Sequence, residues 1–221
     1  MAKMLSNRMS SEKLLNNAIR HQRLCNQVVG AEKLGAAIQI PINNLKEKYQ
    51  LSQDRMQDKT ADYDNVVLRD TILDDVIRDI SDAAKQYDRK NVGRGIYTLL
   101  FPDGKTQSII KASMTKEPDK AEQLLLRFNN FEEDDAMLVH KEPLSKTIAD
   151  ARTAISVYEQ AITNEKKALA EEAMAKDDLV RQYEFNFHDA AKLFGKKFAN
   201  RLFPKTPRTK KEVPTEVVVT E

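Results

Sequence analysis

Tryptophan is absent from this chain of 221 residues, glycine occurs six times and cysteine once. So few glycines leave little room for the tight, irregular loops on which catalytic groups are usually mounted. The lone Cys25 cannot close an intramolecular disulfide, and its place in a helical pattern marks it as a small buried residue. Its potential histidine partners, His21, His140 and His188, stand in no recognisable catalytic order. No stretch approaches the ~20 apolar residues of a membrane span. Met1 to Ser11 has no apolar core of a secretory signal, so a soluble cytoplasmic protein is expected. A charge excess is missing too: 36 Lys and Arg stand against 34 Asp and Glu. A nucleic acid or anionic membrane would therefore need a local patch to bind.

What the chain does have is helical periodicity. Ser10 or Ser11 is a plausible N-cap for a first helix running to about Ala37, with Leu14, Ala18, Cys25, Val28 and Leu34 among its apolar positions. Ile38 to Pro41 is expected to break it, because proline restricts the residue before it and cannot donate to the preceding turn. From Ile42 to about Asn91 an apolar stripe recurs at spacings of three and four. Its stretch from Leu51 to Asp64 is poor in large aliphatics, so weak packing or a short break is expected there. A second long helix runs from Pro143 to Phe203, interrupted by Gly195 alone. Tyr158, Leu169, Val180, Ala191 and Leu202 recur at eleven residues, as do Ala151, Ile162 and Ala173. That period predicts a nearly straight seam or slight right-handed supercoil.

Between the long helices the period changes. Ile96 to Phe101 is rich in strand formers, Pro102 to Lys105 reads as a turn, and Thr106 to Ala112 as a returning strand. Pro118 and Asp119 begin a short helix to Phe128 on which this β-hairpin would pack. The predicted fold is mainly α: a long antiparallel helical hairpin or coiled coil with a small β-hairpin-plus-helix head. The expected organisation is a flexible N-terminus over 1–9, the first helix and first long helix over 10–91, the α/β head over 92–142, the second long helix over 143–203 and a disordered basic tail over 204–221.

The most distinctive surface signal is Lys192, Lys196, Lys197, Arg201, Lys205, Arg208, Lys210 and Lys211, a run with no acid among them. Such a patch could contact phosphates or acidic lipid head groups; equally, cations in the last turns of a helix complement its dipole. Phe187, Phe194 and Phe198 share one face and continue the seam from Tyr183, which marks them as core rather than as a stacking platform. Asp70, Asp74, Asp75 and Asp79 have the spacing of a metal-binding bundle, but the chain contains no Glu-x-x-His, and Arg78 among them points to an exposed charge network. Glu184 and His188 read as a solvated pair, and Glu132 to Asp135 as a solvated acidic loop. Pro102 to Thr106 lacks the earlier glycine of a phosphate loop. Val217 to Val219 could add to a partner's sheet edge.

No catalytic, cofactor or metal site emerges. The expected function is a non-enzymatic elongated helical interaction or scaffold protein, with a protein partner or a second copy of itself. The alternative is an electrostatic module for nucleic acid or anionic membrane acting through the basic segment.

Overall fold

In the computed structural model, residues 4–132 and 135–204 are described, and no strand occurs among them. The chain packs as two units: Met1–Leu51 with Leu169–Glu221, and Ser52–Ala168.

In the first unit, α1 (Ser11–Cys25) starts at Ser10, whose hydroxyl accepts from the Lys13 amide. Leu14, Ala18, His21 and Cys25 form its buried stripe, at the spacing one helix face demands. It ends twelve residues earlier than the apolar pattern suggested. Gly30 turns the chain at φ 89°, a left-handed conformation that side chains resist, and α2 (Glu32–Lys90) begins two residues later. At Gly35 an added Cβ would overlap Asn26 Oδ1, so this glycine permits a close approach of the two helices.

Pro41 does not break the chain; it lies inside α2. An interior proline costs about 3 kcal/mol. Ile38, Ile42 and Leu45 around it are fully buried, each contributing roughly 1.5–3 kcal/mol. Burial outweighs the lost backbone bond, and the helix continues. These residues pack with Leu14, Ala18 and Cys25 of α1, and with Ala175, Leu179, Tyr183 and Ala190 of α6 (Lys141–Phe194). At Gly195 (φ 78°, ψ 153°) α6 stops, one turn of helix, α7 (Lys196–Ala199), follows, and Ala199, Leu202 and Phe203 close the same core.

In the second unit, the later part of α2 and the first turns of α6 hold a layer of short helices. These are α3 (Ile96–Leu100), α4 (Gln107–Ile110) and α5 (Glu117–Arg127), with 3₁₀ turns at Phe128–Asn130 and Ala136–His140. The expected β-hairpin is absent: both proposed strands are helical turns. Asp88, in the last turn of α2, explains the first of them. Its carboxylate accepts from the amides of Ile96 (2.8 Å) and Tyr97 (2.9 Å), satisfying two N-terminal donors of a helix. Ile96 and Leu100 then fall one turn apart and are buried, while Thr98 and Leu99 face out. The turn at Pro102 to Lys105 is present, closed by the Gly104 amide on Phe101 O (2.8 Å), but it joins helices. Leu73, Ile77, Ile80 and Ala84 of α2, Leu124 of α5, and Leu144, Ile148 and Ala151 of α6 complete this core. Arg152 ties α6 to α5 through Asp119 (2.8 Å) and Glu122 (2.5 Å).

The buried seams follow a period of seven, not eleven. On α2 the inward series is Ile38, Leu45, Ser52, Lys59, Val66, Leu73 and Ile80; on α6 it includes Ala154, Ala161, Ala168 and Ala175. Leu169, from the eleven-residue series, is 49% exposed, and Ala173 is exposed as well. A seven-residue repeat belongs to left-handed coils. Within the second unit, α2 and α6 run antiparallel: Lys59 meets Glu165 at 2.6 Å, the Tyr63 and Tyr158 rings lie 5.4 Å apart, and Arg69 reaches Asp150 at 3.3 Å. The polar middle of α2 is continuous helix, held by these contacts instead of by aliphatic packing.

Candidate functional site

The described part of the basic segment runs from the last turn of α6, which carries Lys192, through α7, which carries Lys196 and Lys197, to Arg201 just beyond it. Lys192, Lys196, Lys197 and Arg201 are all exposed. Lys192 pairs with Asp189 at 3.3 Å, and the Arg201 guanidinium lies 5.9 Å from the Phe198 ring centre. No carboxylate pairs with Lys196, Lys197 or Arg201 among the described residues. Lys205, Arg208, Lys210 and Lys211 lie outside the described residues, as do Val217 to Val219. Beneath the cations, Phe187, Phe194 and Phe198 are half-buried against the first core, which is the seam role their spacing suggested.

The segment is anchored by a polar cluster that sequence reasoning missed. His21, completely buried on α1, donates from Nδ1 to Leu202 O at 2.8 Å and stacks on the Phe203 ring at 4.1 Å. With the proton on Nδ1, Nε2 accepts from Asn186 Nδ2 at 3.0 Å. The same amide nitrogen donates to Leu34 O (2.8 Å), and Gln182 Nε2 donates to Asn186 Oδ1 (3.0 Å). Burial lowers the His21 pKa, only partly opposed by the Leu202 carbonyl. A neutral imidazole is what this geometry needs, since a second ring N–H would face the Asn186 donor. Burial pushes the neighbouring Cys25 thiol up to about 11 and the Tyr183 phenol up as well. Cys25 therefore remains a thiol near neutral pH, the poorly nucleophilic form. No local signal in the chain could have joined His21 to Asn186, which lie 165 residues apart.

The aspartate series resolves into two environments. Arg78 bonds Asp74 (2.7 Å) and Asp75 (2.9 Å), and Asp79 is exposed, a surface charge network as expected. Asp70 and Asp74 also face Glu117 at the start of α5, a partner the spacing could not reveal. Glu117 is 1% exposed, and burial, then Asp74 and Asp70, raise its pKa to about 9. Burial likewise raises that of Asp70. Glu117 Oε1 and Asp74 Oδ1 are both buried with no ordinary donor in reach. A proton on Glu117 lowers the charge of the cluster and gives its carboxyl a donor toward Asp74 and Asp70. Glu184 and His188 are exposed, and Asp135 caps the following 3₁₀ turn through the Met137 amide at 2.9 Å. Among the described residues, no cluster of three His, Cys, Asp or Glu side chains is arranged to hold a metal ion, and no helix is long and apolar enough to cross a membrane.

Comparison of the chain with protein-family models, with curated proteins and with solved structures gives no match.

Proposed function

We propose that this chain is a non-enzymatic helical interaction protein of the cytoplasm that works by self-association, with scaffolding of protein partners as its role. One observation carries the reading. On the outer side of the first unit, Ile40 (76% exposed) and Phe185 (55% exposed) flank Pro41 and Asn44 around a groove of about 330 Å³. Single exposed apolar residues are ordinary, but two that line the same groove on adjacent helices form a joined apolar surface, the kind of feature that an interface uses. The rim carries one charge of each sign, Asp178 and Arg181, which pair loosely within the chain at 3.9 Å and are both exposed, so a second copy could exchange them for pairs across the contact. In a two-fold contact each would face its opposite on the other copy. Replacing Ile40 and Phe185 together by Asp tests this by light scattering. The expected result is a wild-type mass of twice 25.2 kDa that falls to the monomer in the variant. A wild-type chain that stays monomeric as its concentration rises would remove self-association.

The second reading is electrostatic binding of nucleic acid or anionic membrane, favoured by the exposure of Lys192, Lys196, Lys197 and Arg201 without an excess of acids beside them. It requires an affinity that falls steeply with salt and is lost when these four are replaced by Gln. Salt-insensitive or absent binding to duplex DNA and to phosphatidylserine vesicles would eliminate it.

A further inference from the structure

A second cluster of cations lies in the short-helix layer of the other unit, where the sequence showed no patch. Lys105, Lys120 and Arg127 line a cavity of about 130 Å³ together with Ser108, Gln123 and one acid, Asp103. Two of the cations are held in place by neutral groups. Lys120 Nζ donates to Ser108 O at 2.7 Å, and Arg127 Nη1 donates to Leu100 O at 2.6 Å, the last carbonyl of α3. A carbonyl fixes the position of a cation without cancelling its charge. Each keeps further N–H donors: an ammonium has three and a guanidinium five. Among the described residues no ion pair neutralises Lys105, Lys120 or Arg127, although carboxylates pair with other cations of the same layer, such as Arg152.

We infer that this cavity is a binding site for a phosphate group, either the free ion or a phosphomonoester whose ester arm leaves through the open side. The volume suits a single tetrahedral oxyanion with a few waters. An arginine fork and two ammonium groups match its oxygens, and Gln123 adds an amide donor. Asp103 opposes the anion and sets the affinity below what three cations alone would give. The site does not rely on a glycine-rich loop, which is why the turn at Pro102 to Thr106 failed as a phosphate motif while the side chains around it converge.

The test is titration of inorganic phosphate, and separately glycerol phosphate, into the full-length ¹⁵N-labelled chain at constant ionic strength, followed by amide and arginine side-chain resonances. Saturable shifts centred on residues 101–127 are expected. Lys105→Gln is the cleanest variant, because the Lys105 side chain makes no hydrogen bond among the described residues, and it should weaken binding roughly three- to tenfold. Asp103→Asn should tighten it by a similar factor. Arg127→Gln removes a helix-end bond as well as a charge, so its folding is checked first by its spectrum. Equal affinity for both ligands supports the site with the free ion as its occupant, and tighter binding of the ester supports it with a phosphoryl group on a larger molecule. Shifts that never saturate, or that neither Lys105→Gln nor Asp103→Asn alters, overturn the inference.

Discussion

At the scale of single residues, two buried titratable groups give the protein opposite responses to pH. His21 has its folded pKa lowered below 6.5, so its contribution to stability is complete above that value and is lost as pH falls through the folded pKa. Protonation would set a new N–H against Asn186 Nδ2. His21→Phe keeps a ring on Phe203 but loses the bonds to Leu202 and Asn186; it should cost about 1–3 kcal/mol at neutral pH and flatten the acid limb of the stability profile. Denaturant melts between about pH 5 and pH 7.5 measure this, and a variant limb parallel to wild type would contradict it. Glu117 works the other way. Its folded pKa is raised from 4.5 to about 9, so its contribution is complete below 4.5 and is lost as pH rises through about 9. Glu117→Gln retains a donor toward Asp74 at every pH and should gain about 1–3 kcal/mol over wild type in mildly alkaline buffer. If the two profiles run in parallel, Glu117 carries no such proton. Neither group was legible in the sequence: a lone histidine and a glutamate beside a proline carry no sign of burial, and their partners come from elements far along the chain.

At the scale of elements, the long helices were legible because spacings of three and four persist for many turns, a pattern no strand can imitate. The short ones were not. The run from Ile96 to Phe101, five apolar or aromatic residues and Thr98, suits a strand and a helical turn equally, and the deciding carboxylate, Asp88, belongs to the preceding helix. The period of the seam was misjudged for a different reason. The eleven-residue series mixes buried with exposed positions, Leu169 and Ala173 among the exposed, whereas Ala154, Ala161, Ala168 and Ala175 carry the buried face by being small. Polar seam residues set the register. Lys59 and Glu165 sit at inward positions of facing helices, with side chains 30% and 14% exposed. Glu165→Ala leaves Lys59 without its partner and should cost about 1–2 kcal/mol, a figure reduced for the residual exposure. Lys59→Leu with Glu165→Leu should restore wild-type stability or exceed it. A silent single substitution, or a double one that is worse, would show that the pair does not hold the register. Pro41→Ala supplies the amide that α2 lacks and should raise stability by about 1–3 kcal/mol in thermal melts. A loss of stability would mean that the proline ring itself is needed in the packing.

At the scale of the whole molecule, the described stretches before Ser52 and after Ala168 form one unit and the stretch between them the other, while α2 and α6 contribute to each. The mainly helical class was readable from composition and periodicity. The location of candidate interaction surfaces was readable only in part. The cations from Lys192 to Arg201 stand exposed as their run suggested, but Ile40 and Phe185 looked like ordinary helix residues until the buried seams were known. Apolar side chains become informative when the stripe that must be buried has already been accounted for. The most direct test of self-association is cross-linking in a refolded equal mixture of ¹⁴N- and ¹⁵N-labelled chains, analysed by mass spectrometry. Mixed-isotope links joining Lys46 or Lys176, on the two helices that carry Ile40 and Phe185, are the expected result, and they should vanish in Ile40→Asp with Phe185→Asp. Links confined to chains of a single isotope would contradict self-association through this face.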